Sequence, residues 1–182
     1  MEKGFIKEMV AWLKAIIVTL VIVFIFRQFI FTPTIVRGES MMPTLQDGNR
    51  VMVVKMTEIN RFDEVVFKAI DSNDNYVKRV IGLPGDRITM KDDTLYINGK
   101  AYDEPYLDEY KDKLLDEEKL TGDFSLKELT NKGKVPEGQM FVLGDNRLYS
   151  KDSRSFGFVP MNRIIGEVKI KFWPINEIGF AD

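Results

Sequence analysis

The chain contains no cysteine and no histidine among its 182 residues, a length that suits one domain with a small appendage. The missing cysteine excludes disulfide bonds, cysteine zinc sites and a cysteine nucleophile. The missing histidine excludes every catalytic dyad or triad built on imidazole, and most zinc centres. If the chain is an enzyme, its proton acceptor must therefore be a lysine, a carboxylate or a tyrosine.

The chain also lacks an excess of positive charge. Lysine and arginine number 26 against 28 aspartates and glutamates, a formal net charge of −2. Nonspecific nucleic-acid binding needs a basic surface, so this balance predicts no nucleic-acid partner. The acidic residues are spread over charged loops and no phosphate-binding loop is present, so we expect no metal and no cofactor.

One long apolar run stands out near the N-terminus, over residues 15–31. As a helix this run would span roughly 25 Å at ~1.5 Å per residue, and with residues 10–13 added it can cross a bilayer. The alternatives are a buried helix of a soluble protein and a cleaved secretory signal. Residues 29–34 offer no A-x-A cleavage site, so the sequence favours a retained anchor in contact with membrane lipid.

The distribution of charge predicts the orientation of this anchor. Residues 1–14 hold three lysines against two glutamates, whereas residues 32–182 hold 22 basic and 26 acidic residues. Basic flanks stay in the cytoplasm. We therefore expect a single-pass protein of the cell membrane, with residues 1–14 cytoplasmic, residues 15–31 transmembrane and residues 32–182 extracytoplasmic.

Residues 32–182 have the pattern of a mostly β domain. Short β-branched or aromatic runs are separated by turn signals, and Asn98-Gly99 after one run predicts a tight hairpin. The spacing predicts antiparallel sheets that form a partly closed β core. The predicted strands cover residues 50–56, 64–70, 76–81, 87–90, 94–97, 139–143 and 164–173.

Residues 103–134 differ, because they are dense in charge and poor in β-branched residues. Residues 109–113 and 118 favour helix, and residues 125–129 can form one helical turn. We interpret 103–134 as a solvated insertion within the domain, which could serve as a small lid. An acidic docking surface is the alternative, although charge runs are usually solvation.

Three further segments contain the residues that can do chemistry. Ser40 lies nine residues past Phe31, so it can stand at most ~30 Å from the membrane at ~3.3 Å per residue. Gly38 allows close backbone approach and Met41 places apolar bulk beside the serine. Taken alone, this segment is more easily an ordinary turn.

The second and third segments supply a lysine and a polar loop. Strand alternation puts Lys78 on one face with Tyr76 and Val80, so its amine could be desolvated and its pKa lowered; a lysine on a solvated face is the alternative. Residues 144–160 are rich in Gly, Asp, Asn and Ser, which is typical of a structured loop. This loop can be a rigid turn, an active-site wall, or both. Asp145 and Asp152 in it can each hold an arginine.

In this order and spacing, the segments resemble the bacterial type I signal peptidases over nearly the whole chain. The matching motifs are the FIFTP exit from the anchor, GESMMPT at residues 38–44, KRVIGLPGD at 78–86, GDNR at 144–147 and SKDSRSFG at 150–157. The short chain and single anchor look like the Gram-positive branch.

The resemblance implies a role for each matching residue. Ser40 would be the nucleophile, Lys78 the general base, and Ser150 would orient the lysine by a hydrogen bond. Arg79 would pair with Asp145, and Arg154 with Asp152, as supports; Met41 would lie at the substrate groove. Where some relatives have a serine that completes the oxyanion hole, this chain has Gly38, so backbone donors would serve. The family usually has glycine where Phe62 stands, which puts that turn in question.

The implied activity is removal of signal peptides from secreted preproteins, through an acyl-enzyme on Ser40. Substrate would bind extended, with small residues one and three positions before the cut, and no nucleic acid, metal or cofactor would take part. Oligomeric state is left open. One rival is a self-cleaving Ser-Lys repressor, which would need a DNA-binding domain where this chain has an anchor. The other is a nonenzymatic, membrane-tethered β module.

Overall fold

The computed structural model describes residues 2–115 and 118–181. The helices are α1 (Glu2–Phe29), α2 (Asp108–Lys111), α3 (Leu126–Thr130) and α4 (Ser153–Phe156). The strands are β1 (Phe31–Ile35), β2 (Arg50–Val54), β3 (Glu64–Lys68), β4 (Asn75–Gly82), β5 (Ile88–Lys91), β6 (Thr94–Ile97), β7 (Lys100–Tyr102), β8 (Phe124–Ser125), β9 (Gln139–Leu143), β10 (Val159–Pro160), β11 (Ile164–Trp173) and β12 (Gly179–Phe180).

Helix α1 projects from the domain. Its Ile6–Arg27 stretch has a mean hydropathy of 2.7, none of it is buried by the rest of the chain, and by length and composition it could cross a membrane. The predicted transmembrane segment, residues 15–31, overlaps this stretch up to Arg27 and stays a prediction. The helix ends at Phe29 because Phe31 already pairs with Val54 as the first residue of β1.

The larger sheet is entirely antiparallel, and it contains β4, the strand that carries Lys78. Its order is β1-β2-β11-β3-β4-β9-β10, and β12 pairs with β11. The long strand β11 changes register twice against β2 and once against β3, which bends the sheet. Gly166 sits at the bend, where an added Cβ would lie 2.3 Å from the carbonyl oxygen of Val54.

The smaller sheet has the order β7-β6-β5-β8. Asn98 and Gly99, both at positive φ, join β6 to β7, so the predicted hairpin is confirmed. A buried apolar cluster includes Ile88 and Leu95 of this sheet and Phe141 of the larger one, and thereby joins the two. The predicted mostly β fold of antiparallel sheets, with one apolar N-terminal helix, is confirmed.

All seven predicted strands are present, although two end early. The strand at 50–56 stops at Val54, and the strand at 64–70 stops at Lys68 because Ala69 closes the next turn by donating to Asp74 O at 2.9 Å. The sequence missed β1, β7, β8, β10 and β12. Four of these have two or three residues, too few to show alternation, and β1 contains Pro33, which is tolerated because β1 lies at the sheet edge.

The charged segment 103–134 is more ordered than a solvated insertion. Ser125 caps α3 in a reciprocal pair with Glu128, which confirms the predicted helical turn. Leu107, Leu120 and Leu126 are buried, and Glu104 forms a buried ion pair with Arg147 at 2.5 Å. The segment therefore has a charged surface and also contributes buried leucine side chains to the core. Residues 116 and 117 of this segment lie outside the described residues.

Candidate active site

Ser40 and Lys78 meet at the wall of an open groove. Ser40 lies in the turn between β1 and β2, and Lys78 lies in the middle of β4. Lys78 Nζ is 2.6 Å from Ser40 Oγ and donates to the carbonyl oxygen of Val77 at 2.9 Å. The lysine is 3% exposed. A hydroxyl and a primary amine in direct contact are a possible nucleophile and base.

The turn that carries Ser40 is fixed from both sides. Gly38 adopts a φ of +80°, and its N–H donates to Asp47 Oδ1 at 2.7 Å. On the other side of Ser40, Met41 is 1% exposed and packs with Leu45 in a core cluster. Both Gly38 and Met41 line the groove, and Met41 is also an anchor of the turn.

The surroundings of Lys78 favour its neutral form. Burial lowers the pKa of Lys78 to about 8, while the charges of Asp152 and Asp145 partly oppose this shift. Within the described part of the chain, no carboxylate forms a hydrogen bond with Nζ. At pH 7 about a tenth of the lysines would be neutral, far more than for a solvated lysine.

Arg79, the next residue, is surrounded by acceptors on the opposite face of β4. Its guanidinium donates to both oxygens of Asp145, at 3.0 and 2.7 Å, to Glu64 Oε1 at 3.0 Å and to the carbonyl oxygen of Phe62 at 2.8 Å. It also stacks 4.0 Å from the ring of Tyr106. The pairing with Asp145 that the resemblance implies is present.

Phe62 occupies the position where the family usually has glycine. Its φ is +73°, in the left-handed region that favours glycine, and a phenylalanine adopts this conformation at a cost. This conformation presents the Phe62 carbonyl to Arg79. The ring gains contacts in return, with Tyr102 at 5.9 Å and Tyr106 at 6.1 Å.

The third segment holds the serine turn in place. Asp145 Oδ2 accepts a hydrogen bond from Thr44 Oγ1 at 2.6 Å. The backbone N–H of Asn146 donates to Ser40 O, and its side-chain amide donates to Glu39 O, both at 3.1 Å. The loop is therefore both a rigid turn and a wall of the site, the combination the sequence left open.

Asp152 organises the rest of this loop. One of its oxygens accepts from the N–H of Gly144 at 3.0 Å, and both oxygens accept from the Arg154 guanidinium at 2.8 Å. Arg154 also donates to the carbonyl oxygen of Arg147. The second implied ion pair is thus present, and it links the start of the loop to α4, whose N-cap is Asp152.

Ser150 does not make the hydrogen bond to Lys78 that the resemblance implies. Its Oγ is buried and has no hydrogen-bond partner among the described residues, because Lys78 Nζ is directed to Ser40 and Val77 instead. The side chain lies against Gly144, where an added Cβ would be 2.1 Å from Ser150 Oγ and 2.4 Å from Ser40 O. Ser150 is therefore close to Ser40 without a hydrogen bond to the Lys78 amine.

The groove has a volume of about 980 Å³. Its walls come from the end of β1, the serine turn, the start of β4 and the loop after β9; none of the described residues of 103–134 lines it. It is lined by Thr34, Ile35, Val36, Arg37, Gly38, Glu39, Ser40, Met41, Asp47, Val66, Asp74, Asn75, Tyr76, Val77, Lys78, Tyr149 and Lys151. Among the described residues, no cluster of three or more carboxylates is placed to hold a metal ion.

Sequence reasoning missed several residues that shape the site. Thr44 donates a hydrogen bond to Asp145, and Asn146 donates one to the carbonyl oxygen of Ser40. Glu64 accepts from Arg79, and Asp47 accepts from the N–H of Gly38. Gly144 leaves room for Ser40 and Ser150. Thr44 and Gly144 fall inside the quoted motifs, so the motifs contained this signal. Nothing local in the sequence singles out Asp47 or Glu64.

The chain is similar to proteins of one known family. The family model "Signal peptidase, peptidase S26" matches residues 9–173. The chain is 56% identical to the signal peptidase I of Bacillus caldolyticus over 158 residues, covering 85% of this chain and 86% of that protein. It is 47% identical to the signal peptidase IB of Staphylococcus aureus (strain MRSA252), covering 96% and 94%. A crystal structure of a signal peptidase I from Enterococcus faecalis V583 superposes with a TM-score of 0.60 at 44% identity, covering 61% of this chain and 97% of that one.

Proposed function

Because the chain belongs to the S26 signal peptidase family, serine peptidases that remove signal peptides, we propose that it cleaves preproteins with a Ser40–Lys78 dyad. The observation that carries this proposal is the 2.6 Å contact between Ser40 Oγ and a lysine amine that is 3% exposed. Without histidine in the chain, a lysine with a lowered pKa is the base best placed to activate this serine.

In the proposed mechanism, neutral Lys78 takes the proton from Ser40 Oγ as this oxygen attacks the scissile carbonyl carbon. The tetrahedral oxyanion collapses, the new amino terminus leaves with the proton from Lys78, and an acyl-enzyme ester remains on Ser40. Lys78 then removes a proton from water, which attacks the ester and releases the signal peptide. The same amine thus acts in both halves of the reaction.

The oxyanion would be held by backbone donors. The Ser40 N–H donates to no acceptor within the described part of the chain, which leaves it free for substrate. Gly38 supplies no hydroxyl, and its own N–H is occupied by Asp47. We assign Arg79, Asp145, Asp152 and Arg154 as supports that keep the Ser40 turn and Lys78 in register, and Ser150 as a buried neighbour that limits their movement.

Substrate is proposed to lie in the groove as an extended strand between β1 and the first residues of β4. Side chains one and three positions before the cut would then point to the same wall. Buried Met41 and Val36 form the floor there, and Tyr76 adds a ring beside Lys78 at 5.5 Å. Such shallow apolar walls accept alanine and similarly small residues, which suits signal peptides of secreted preproteins.

We also propose that α1 anchors the protein in the cell membrane, with its N-terminus in the cytoplasm and the groove outside. Support comes from the exposed apolar stretch Ile6–Arg27 and from the excess of lysine over glutamate in residues 1–14. Because the chain has no cysteine, single-cysteine variants report topology directly. A membrane-impermeant maleimide should label Ser72→Cys in intact cells and label Gly4→Cys only after permeabilisation; the reverse pattern would contradict the orientation.

The proposed chemistry is tested by processing of a purified preprotein in detergent between pH 6 and 10. We expect Ser40→Ala and Lys78→Ala to lose at least ~10³-fold in kcat/KM. The wild-type rate should rise with pH through an apparent pKa of about 8, the pKa to which burial lowers Lys78. Lys68→Ala, at an exposed lysine on the neighbouring strand, is the matched control and should process normally.

The same assay distinguishes the proposed peptidase from its rival, a nonenzymatic membrane-tethered β module. A folded wild type that cleaves no preprotein would favour that module. Wild-type processing by Lys78→Ala would instead show that the base is assigned wrongly while the peptidase assignment stands.

A further inference from the structure

Arg147 takes no part in the proposed mechanism, yet its side chain in the loop after β9 has 0% exposure. Its guanidinium donates to both oxygens of Glu104, at 2.5 and 3.3 Å, and to Thr121 Oγ1 at 3.3 Å. Its Nε donates to the carbonyl oxygen of Gly144 at 3.1 Å. One buried side chain therefore joins the start of this loop to two residues of segment 103–134.

Glu104 is held in turn by its own segment. The hydroxyl of Tyr106 donates to Glu104 Oε1 at 2.7 Å, and the ring of Tyr106 lies 4.0 Å from the Arg79 guanidinium. Burial raises the pKa of Tyr106, so this hydroxyl keeps its proton and stays a donor at neutral pH. Because Leu107 is buried as well, the Glu104 carboxylate belongs to a packed part of the segment rather than to its charged surface.

The loop that Arg147 fixes is the one that holds the serine turn. Asn146, the residue before Arg147, donates from its backbone N–H to Ser40 O at 3.1 Å. Gly144 packs so closely that an added Cβ would lie 2.4 Å from Ser40 O. A shift of this loop would therefore move Ser40, whereas Lys78 is fixed separately by the pairing of β4 with β3 and β9.

We propose that Glu104 and Arg147 are positioning residues for the Ser40–Lys78 pair, because their ion pair anchors the loop that holds the serine turn to segment 103–134. The catalytic consequence rests on the proposed function, and the inference gives a role to a segment none of whose described residues lines the groove. A displacement of ~1 Å between reacting groups can cost ~10²-fold in rate, so the pair can affect catalysis without touching substrate.

Steady-state processing of a purified preprotein by the full-length chain in detergent tests this role. Arg147→Met should lower kcat about 10²-fold and leave KM within about threefold of wild type, since neither side chain of the pair lines the groove. Glu104→Gln keeps an acceptor for Arg147 and should lower kcat less, about tenfold. The matched controls are Arg87→Met and Glu109→Gln, at exposed residues, and both should process normally.

An ion pair that only stabilises the fold would behave differently. Each variant, corrected for its folded fraction by circular dichroism and urea denaturation, would then process at the wild-type kcat. The double variant Glu104→Gln/Arg147→Met removes both buried charges, so it should unfold at a higher urea concentration than Arg147→Met alone. Its kcat should nevertheless stay as low as that of Arg147→Met, because the donor to the Gly144 carbonyl oxygen is still missing.

Ser40→Cys gives a readout that needs no peptidase activity, since the chain has no other cysteine. The Lys78 amine beside this position should lower the thiol pKa below its usual ~8.5, and the rate of alkylation by iodoacetamide against pH measures it. With Arg147→Met added, the thiol pKa should rise again, so the rate at pH 7 relative to pH 10 should fall at least about threefold. With Arg87→Met added, this ratio should not change.

Wild-type kcat in a folded Arg147→Met, or an alkylation profile that Arg147→Met leaves unchanged, would overturn the proposal. If Arg147→Met does not fold, Glu104→Gln is measured in the same two ways, and wild-type values for it would overturn the proposal equally. A chain that processes no preprotein would contradict the proposed function alone. The alkylation profile would then decide whether Glu104 and Arg147 position residue 40.

Discussion

Lys78 and Arg79 are consecutive basic residues on β4, and the structure gives them opposite surroundings. Both are buried, at 3% and 1% exposure. Lys78 faces the groove, bonded to a hydroxyl and a carbonyl oxygen. Arg79 lies on the opposite face of β4, bonded to two carboxylates and a carbonyl oxygen. Strand alternation separates them by the thickness of one sheet.

The difference shows that burial alone does not decide the charge of a basic group. Desolvation disfavours the charged form of either side chain, but carboxylates at hydrogen-bond distance restore it. Asp145 and Asp152 act on Lys78 only through longer-range attraction, which leaves its pKa at about 8. One strand can therefore place an amine with a lowered pKa next to a permanent cation that holds the surrounding loops.

Exchanging the two residue types should have the largest effect. Lys78→Arg places a group that cannot deprotonate beside Ser40, so preprotein processing should fall at least ~10³-fold at every pH between 6 and 10. Arg79→Lys keeps a cation next to Asp145 but loses the two-pronged geometry, so it should lower the free energy of unfolding by about 2 kcal/mol and retain most activity.

The exchange is informative only if both variants fold, which urea denaturation and circular dichroism would establish. Substantial processing by a folded Lys78→Arg would show that the residue is not a base. An Arg79→Lys variant as inactive as Lys78→Arg would mean that the two faces of β4 are not separable in function.

The two carboxylates around Arg79 should differ in importance. In Asp145→Asn, an amide N–H₂ replaces an oxygen that accepts from Arg79 or Thr44, so two donors would face each other; we expect a loss of about 3 kcal/mol in unfolding free energy. Glu64→Gln can keep its single acceptor for Arg79 and should cost under about 1 kcal/mol. Urea titrations at pH 7 compare them, and a larger loss for Glu64→Gln would reverse the assigned ranking.

The sequence predicts the two faces of β4 better than it predicts what surrounds them. Alternation around Tyr76, Lys78 and Val80 follows from strand geometry, and the same reasoning finds most of the longer strands. The contact between Thr44 and Asp145 joins residues 101 positions apart. Such pairings depend on how loops pack after the sheet has formed, and no local pattern specifies them.

Two departures from expectation have the same origin. The motif predicts a hydrogen bond between Ser150 and Lys78. In the structure the lysine amine bonds Ser40 instead, and the Ser150 hydroxyl has no partner among the described residues. Phe62 stands where the resemblance predicts glycine, and its positive φ is held by the hydrogen bond from Arg79 and by contacts with two aromatic rings. In both cases tertiary contacts outweigh a local preference, which a sequence pattern alone cannot weigh.

The last expected effect is a pH-dependent difference in stability between wild type and Lys78→Met. Lys78 has a pKa of about 8 in the folded protein, below the 10.5 of a solvated lysine, so the unfolded chain binds the extra proton between these values. The penalty for burying the charged amine is fully present below pH 8 and is relieved as the pH rises toward 10.5. The unfolding free energy of wild type, relative to Lys78→Met, should therefore rise by up to about 3 kcal/mol over this interval. Urea titrations of both proteins at pH 7, 9 and 10.5 measure this difference, since most other titrating groups cancel in the comparison. A flat difference would mean that Lys78 keeps its ordinary pKa, and the contrast with Arg79 would then lie in geometry rather than in charge.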